Sequence, residues 1–459
     1  MKRRTIGLHP AFLRFSATLT MLFSGTLAFS ALAFLTQVIL TRQLPIAEVG
    51  PIAALLAVIN FLTPVATAGI NYFILQSFGR EGWGAMRWLP RCAQLAGLAT
   101  LLTVFALAGY MLPRATGAAS LLVLLLTSTP ILLGQLFVEL ASARLQLEGR
   151  YGILSAWQGI TQGGRFAVIL ITEVMGASMG RILGGYALVG LASTLLGLGL
   201  LRGLWRGQVR LASLGDAPRN LMIAPSPPLG ETARGSLPFA LMTMFYVAYF
   251  QGPVVILEWL RGGTAAGAYN SAFLIIAAMS VIPTVIYMKF LLPKICRWAE
   301  HDRSAFSAAF HVGVPAMLVC GLCLMGVVII AAPMLVPKLF GEQYAAGVPA
   351  LMILAFTIPV RFVQSVYSSL FIRGDEMVRK IRYLGISAVV GGLSCLALIP
   401  VFGLRGAALA TLLAEVSLLV LHIDGTARFI EGINIADTMR IGTFVASLRQ
   451  LLHGRYLES

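Results

Sequence analysis

SATLTMLFSGTLAFSALAFLTQVIL, residues 16–40, contains 25 consecutive residues without a charged side chain. A helix needs about 20 apolar residues to cross the hydrocarbon core of a bilayer. The apolar core of a secretory signal peptide is shorter, at about 7–15 residues. The segment therefore predicts a membrane helix that the mature protein retains.

Similar segments recur along the whole chain. Hydrophobic residues make up 58% and charged residues 11% of the 459 residues, and the mean hydropathy is +0.86. Soluble domains have about 25% charged residues, so the composition excludes an ordinary soluble protein. We predict an all-α polytopic membrane protein with about 12 spans. The predicted spans are 15–41, 47–71, 90–112, 117–140, 152–175, 181–201, 237–259, 265–291, 307–332, 346–371, 382–400 and 405–424.

Basic residues are distributed unevenly between the two sets of predicted loops. Lys and Arg number 26 on the side of the chain termini and 6 on the opposite side. Because cytoplasmic loops are enriched in positive residues, we expect both termini in the cytoplasm. The net charge of +16 is spread over seven segments without a recognition module, which argues against nucleic-acid binding.

The longest predicted loop divides the chain into two halves. It is rich in Arg, Pro and Gly, a composition typical of a linker. Six spans precede it and six follow, and both sets begin in the cytoplasm, which predicts a parallel pseudo-repeat. We predict an N-terminal six-helix lobe at 1–201, a cytoplasmic linker at 202–236, a C-terminal six-helix lobe at 237–424 and a cytoplasmic amphipathic tail at 425–459.

Two basic residues, Arg165 and Arg361, fall near the middle of predicted spans. A charged side chain at mid-bilayer costs about 2.5–3.5 kcal/mol on insertion scales, so such residues are functional candidates. Both belong to polar stripes with helical spacing, and a third stripe follows the second span. The stripes are Gln158, Thr161, Gln162 and Arg165; Thr357, Arg361, Gln364, Ser365 and Ser368; and Asn60, Thr63 and Thr67.

These stripes fit the walls of a water-filled cavity between the two halves. An excess of positive charge would favour an anionic ligand, and the planar guanidinium fork suits phosphate. Gly163 and Gly164 would leave room for a large ligand beside Arg165, or else allow close helix packing.

Glu415 is central in the last span, with Thr411 one turn before it. We expect Glu415 to be buried near the bilayer midplane. It would bind a cation or proton there, or form an internal salt bridge with Arg361. Arg165 has no acid at mid-membrane depth in its own half.

The sequence lacks the motifs of common catalytic and metal sites. Cys320 and Cys323 form a CxxC inside an apolar segment without His or acid nearby, so we expect them to pack as small apolar side chains. No phosphate-binding loop occurs, and the predicted outer loops are short, which argues against a polysaccharide polymerase or acyltransferase. We expect no catalytic residue, no metal and no cofactor.

Four segments resemble a known family of membrane proteins. They are LTRQLPIAEVGPIAALLAV (40–58), TAAGAYNSA (264–272), KLFGEQYAAGVPALMIL (338–354) and LALIPVFGLRGAALATLLAE (396–415). They are similar to stretches of the polysaccharide-repeat (O-antigen and exopolysaccharide) flippases of the polysaccharide transporter family. This family belongs to the multidrug/oligosaccharidyl-lipid/polysaccharide (MOP) superfamily. The resemblance covers most of the chain and implies two six-helix lobes around a central cavity.

The resemblance also implies a function. It implies alternating-access transport of an undecaprenyl-pyrophosphate-linked oligosaccharide from the cytoplasmic to the outer leaflet, for polysaccharide or lipopolysaccharide biosynthesis. The setting would be a bacterial inner membrane. The partners would be membrane lipids, the lipid-linked oligosaccharide, a polysaccharide polymerase and other assembly proteins, and the protein would act as a monomer.

The family's cavity arginines would correspond in role to Arg165 and Arg361. Many relatives have an acid in the seventh span where this chain has Gln251, so an ion-coupling site there would differ from theirs. A cation-coupled multidrug exporter of the same superfamily is the alternative function. The basic stripes suit an anion better than a cationic drug.

Overall fold

The computed structural model describes residues 10–212, 215–216, 225–284, 303–371, 374–429 and the single residue 446. The chain forms long helices with short connections, as its apolar segments predict. The helices are α1 Pro10–Gln43, α2 Ile46–Thr67, α3 Ile70–Glu81, α4 Leu89–Met111, α5 Ala118–Leu147, α6 Tyr151–Met175, α7 Met179–Trp205, α8 Leu229–Arg261, α9 Gly263–Met279, α10 Val281–Thr284, α11 Arg303–Phe340, α12 Val348–Ala355, α13 Thr357–Ser368, α14 Gly374–Phe402 and α15 Leu404–Phe429. Short 3-10 helices at Gly82–Trp88, Leu112–Arg114 and Glu342–Gly347 link some of them.

The chain is a multi-pass membrane protein. Each of the 12 predicted spans overlaps one of these helices or a consecutive pair of them. Within the described residues, eight helical stretches are long and apolar enough to cross a bilayer, or nine if the bent pair α12–α13 counts as one. The polar stripe of α6 keeps that helix below this apolarity. The count of 12 therefore stays a prediction, while the all-helical membrane fold is confirmed.

Apolar side chains pack in two large clusters. One cluster draws on α2 and α4 to α7, and the other mainly on α8, α9 and α11 to α15. The helix α2 also packs on α8 and α9 and so joins the two halves. The lobe boundaries at 202–236 stay a prediction; in that range α7 continues to Trp205 and α8 begins at Leu229. Between them, β1 Arg210–Leu211 pairs antiparallel with β2 Gly215–Asp216.

Glycine pairs allow two of the helix crossings. A Cβ added at Gly134 of α5 would lie 2.6 Å from the Cα of Gly190 in α7. A Cβ at Gly50 of α2 would lie 1.9 Å from the carbonyl oxygen of Gly263, which begins α9. Small residues permit such close approach of helix backbones in membranes.

Three sequence predictions need correction or fall outside the description. The helix α14 begins at Gly374 and not at residue 382, so Lys380 is helical and not in a loop. Cys320 and Cys323 are exposed on α11 and are not packed in a core. The predicted amphipathic tail after Phe429 lies outside the described residues, apart from residue 446.

Candidate functional site

Polar side chains of α2, α5, α6 and α8 surround a cavity of about 460 Å³, which we call the amino-terminal cavity. Its wall contains all four stripe residues of α6 and the three stripe residues of α2. These are Gln158, Thr161, Gln162 and Arg165, with Asn60, Thr63 and Thr67. The helical period aligns each set on one face, and packing turns both faces inward.

Arg165 has no carboxylate or hydrogen-bond acceptor in contact among the described residues. Its guanidinium carbon lies 5.3 Å from the ring centre of Tyr186, a cation–π distance. A Cβ at Gly163 would meet nothing within 4 Å, whereas one at Gly164 would collide with Val189 of α7. Only Gly163 therefore leaves open space near Arg165, and Gly164 serves helix packing.

Side-chain hydrogen bonds between helices order the wall of this cavity. Asn60 Nδ2 donates to Gln251 Oε1 at 3.0 Å, which connects α2 with α8. Thr63 Oγ1 lies 2.9 Å from Gln135 Oε1, to which it can donate, connecting α2 with α5. These pairs hold the amides in place around the cavity and leave the Arg165 guanidinium without a protein acceptor.

A second cavity of about 360 Å³ lies between α8, α13, α14 and α15, and we call it the carboxy-terminal cavity. Its lining includes Arg361, Gln364 and Ser365 of the α13 stripe, together with Glu415. Arg361 Nη1 donates to Ser280 Oγ at 3.1 Å, and its guanidinium carbon stacks 4.5 Å from the centre of the Phe250 ring.

Arg361 and Glu415 form a buried ion pair, which is one of the two outcomes that the sequence left open. Arg361 Nη2 lies 2.5 Å from Glu415 Oε1, and the side chains are 9% and 0% exposed. The two groups are close without being aligned for a hydrogen bond, since neither atom has an aligned partner. Their charges cancel, so Arg361 adds no net positive charge to the cavity.

The three residues considered for ion coupling are not brought into one site. Glu415 lines the carboxy-terminal cavity and Gln251 lines the amino-terminal one. Thr411 is buried away from both linings, where its hydroxyl donates to Ala407 O and lies 2.7 Å from the Tyr269 hydroxyl. Helical spacing correctly put Thr411 and Glu415 on adjacent turns, but it could not show which neighbours each would meet.

The two polar cavities adjoin each other and a third, apolar one. Tyr72 and Thr243 line both polar cavities. A cavity of about 670 Å³ is walled by apolar residues of α1, α9 and α11, such as Leu27, Phe34 and Leu339. It shares Asn60, Gln162, Arg165 and Gln251 with the amino-terminal cavity. Arg165 therefore lies where a polar space meets an apolar one.

Comparison with known sequences assigns the family. The model of the family described as polysaccharide biosynthesis protein matches residues 17–298, which is more than half of the chain. The chain belongs to this polysaccharide biosynthesis family. No curated protein matches the sequence significantly.

Solved structures share the fold of this family member at low sequence identity. It is similar to the lipid II flippase MurJ in an inward closed conformation, with TM-score 0.67, 11% identity and coverage of 95% of this chain and 93% of that one. It is also similar to an inward-facing multidrug resistance MATE family transporter of the MOP superfamily, with TM-score 0.63, 16% identity and coverage of 87% and 94%. A MOP superfamily transporter from Pyrococcus furiosus gives TM-score 0.60, 14% identity and coverage of 91% and 95%. The chain therefore has the fold of the MOP superfamily.

Several cavity residues of this family member were not singled out from its sequence. Lys380 precedes the predicted span 382–400, and His422 lies near the end of the predicted span 405–424, yet both line the carboxy-terminal cavity. Glu139 lines the amino-terminal cavity and accepts a hydrogen bond from Asn71 Nδ2 at 3.1 Å. A predicted start of α14 at Gly374 would have made Lys380 a helical residue and so a candidate. Lys380 lines the same cavity as Gln364 and Ser368 because folding brings their two helices together.

Proposed function

We propose that this protein moves a lipid-linked oligosaccharide, carried on a polyprenyl pyrophosphate such as undecaprenyl pyrophosphate, from the cytoplasmic to the outer leaflet. The membership of the polysaccharide biosynthesis family and the MOP fold support a transporter acting in this pathway. One structural neighbour is a lipid II flippase, MurJ, so a protein of this fold moves a lipid cargo. The membrane would be a bacterial inner membrane with the chain termini in the cytoplasm, as the charge asymmetry predicts.

The observation that carries the proposal is the position of Arg165 between two kinds of space. The apolar cavity beside α1, α9 and α11 suits a hydrocarbon chain, and the amino-terminal cavity suits a hydrated headgroup. A prenyl-linked sugar has both parts, joined by an anionic pyrophosphate. Arg165 lies at the junction and has no protein anion in contact among the described residues. Its fork can donate two parallel hydrogen bonds to one phosphate.

Arg361 has a different part in the proposed cycle. While its guanidinium faces Glu415 it is neutralised, so it contacts the pyrophosphate only after turning away from that carboxylate. Glu415 could then take up a proton or cation, which would couple transport to an ion gradient. An inside-negative potential assists outward movement of negative charge by about 2.3 kcal/mol per charge per 100 mV, or roughly 4–5 kcal/mol for two charges.

Reconstituted protein tests the proposal. The assay measures the transfer of a short-chain polyprenyl-pyrophosphate sugar across proteoliposomes, with a sugar-directed enzyme reporting the exposed fraction. Losing charge-assisted hydrogen bonds of about 1.5–3 kcal/mol should slow the Arg165→Gln variant roughly 10- to 100-fold. Arg165→Lys should retain partial activity, because it keeps the charge and loses the fork.

The matched control is Arg206→Gln, the same substitution at an exposed arginine outside the cavity linings. It should transfer the lipid at the wild-type rate. Near-normal transfer by Arg165→Glu, with normal insertion, would contradict the proposal.

One observation favours a second candidate function, a cation-coupled multidrug exporter. The Glu139 carboxylate in the amino-terminal cavity has Asn71 as a hydrogen-bond partner and no ion-pair partner among the described residues. Tyr246 and Tyr249 line the adjoining carboxy-terminal cavity and form an aromatic cluster with Phe250, with ring centres 5.5–6.5 Å apart. Such groups suit an organic cation. Export of ethidium that depends on Glu139, without transfer of the prenyl-linked sugar, would select this function.

A further inference from the structure

Lys380 and His422 line the carboxy-terminal cavity, as the Arg361–Glu415 pair does. Lys380 Nζ lies 3.4 Å from Ser368 O, so Lys380 sits at the level of the end of α13. Arg361 is seven residues before Ser368, and Glu415 is seven residues before His422. At 1.5 Å of rise per residue, the two levels are about 10 Å apart along the helices.

The charges at the two levels differ. Arg361 and Glu415 cancel each other at the deep level. At the level of Ser368, Lys380 has no carboxylate within ion-pair distance among the described residues. Its one hydrogen bond within that part of the chain is the long contact with Ser368 O. The net positive charge of the carboxy-terminal cavity therefore resides on Lys380 and not on Arg361.

His422 supplies an acceptor without a partner in the lining of the same cavity. Its Nδ1 lies 3.0 Å from Leu418 O, a carbonyl that can only accept, so Nδ1 carries the proton. The Nε2 lone pair, on the opposite edge of the ring, is buried without a partner. Phe371 and Tyr383 flank the ring, with centres 5.3 and 5.8 Å away, and fix its plane. Buried polar atoms without partners are uncommon in native proteins. His422 is 1% exposed as a residue and belongs to the lining of the carboxy-terminal cavity.

We propose that Lys380 and His422 form an entry subsite for a phosphate-bearing, hydroxylated ligand. The Lys380 ammonium would hold a phosphate oxygen, and His422 Nε2 would accept a hydrogen bond from a sugar hydroxyl. This inference rests on the proposed function if the ligand is the lipid-linked sugar. On the topology that the charge asymmetry predicts, α14 starts at the cytoplasmic surface, and Lys380 lies about 9 Å along the helix from Gly374. Arg165 lies about 21 Å along α6 from Tyr151, so the headgroup would meet Lys380 first and Arg165 later.

Binding to the purified full-length protein tests the subsite with two probes. One probe is a farnesyl-pyrophosphate-linked N-acetylglucosamine, and the other is inorganic pyrophosphate. Lys380→Gln should raise the Kd for the prenyl-linked probe about tenfold and raise the KM for transfer with little change in kcat. Lys380→Arg should restore binding. Arg382→Gln, on an exposed position of the same helix, is the matched control and should bind like the wild type.

The outcomes separate this inference from the proposed function. If the wild type binds the prenyl-linked probe and Lys380→Gln binds it equally well, the entry subsite is overturned and the flippase proposal stands. If only inorganic pyrophosphate binds, in a Lys380-dependent way, the subsite stands and the lipid-linked function falls. If neither probe binds the wild type, both fall. Thermal unfolding of Lys380→Gln shows whether the variant is folded. If it is not, binding of the same probes to the Lys380→Arg variant is measured instead.

Discussion

The buried Arg361–Glu415 pair makes each charge dependent on the other. Breaking a buried pair by removing one partner leaves an uncompensated charge and costs about 3–5 kcal/mol. Glu415→Gln should therefore destabilise the protein strongly, because Glu415 is fully buried beside Arg361. The double variant Arg361→Gln, Glu415→Gln should recover most of the loss. Thermal unfolding of the purified proteins measures both effects.

Transport by the same variants separates the two roles of Glu415. If the double variant is stable and transfers the lipid, the carboxylate serves the pair. If it is stable and inactive, Glu415 has a further role such as ion binding. A Glu415→Gln protein as stable as the wild type would show that the pair contributes nothing to the fold.

The sequence predicts which residues share one face of a helix, but it does not predict which residues pair between helices. The spacing of Gln158, Thr161, Gln162 and Arg165 placed these side chains on one face, and all four line one cavity. Pairing between helices is set by packing, which is why the state of Arg361 stayed open. Lys380 lies outside the predicted span because the charged stretch GDEMVRKIR is not apolar, although α14 already begins at its first residue, Gly374.

At the scale of elements, several arginines at the predicted outer ends of helices bind helix termini. Arg42 donates to Lys338 O and Leu339 O in the last turn of α11. Arg181 donates to Met175 O and Gly176 O at the end of α6, at 2.7 and 2.6 Å. The last carbonyls of a helix lack intrahelical partners, and basic side chains satisfy them. The basic residues Arg42 and Arg181 in predicted outer loops thus have a local structural role.

The crossing of α5 and α7 gives a prediction for an element. Gly134→Ala would place a Cβ 2.6 Å from Gly190 Cα and force the helices apart. Overpacking costs about 1–3 kcal/mol, so the midpoint of thermal unfolding should fall. Gly109→Ala is the matched control, because its Cβ would meet nothing within 4 Å and Ala favours helix. Equal unfolding midpoints for the two variants would show that the crossing is not tightly packed.

For the whole molecule, hydropathy and charge predicted the helical membrane fold, while the breaks in its helices needed the structure. The helix α2 ends where Ala68 and Gly69 both adopt positive φ, at +47° and +69°. The helices α12 and α13 meet at a 41° bend near Pro359. Pro359 removes a backbone hydrogen bond that a continuous helix would need at the second break. The sequence around the first break does not indicate that Ala68 adopts a left-handed conformation.

The two halves are joined by polar bonds at the predicted outer ends of their helices. Gln343 bonds through its side chain to the backbone of Thr41, Leu44 and Ile46. Arg114, after α4, forms an ion pair with Glu258, near the end of α8. In the alternating-access cycle that we propose, such contacts would open when the cavity faces outward.

Removing the Arg114–Glu258 pair should therefore favour the outward-open state. A partly exposed pair contributes about 0.2–1 kcal/mol, so Glu258→Gln should raise the outward-open population up to about fivefold, given RT ≈ 0.59 kcal/mol. The reporter is a cysteine at Thr243, which lines both polar cavities, in a background without the five native cysteines. An impermeant maleimide added outside intact cells should label it faster in the variant. Glu173→Gln, at an exposed outer position, is the control. The charge swap Arg114→Glu, Glu258→Arg should return labelling to the wild-type rate, and unchanged labelling in Glu258→Gln would show that this pair does not hold the outer end closed.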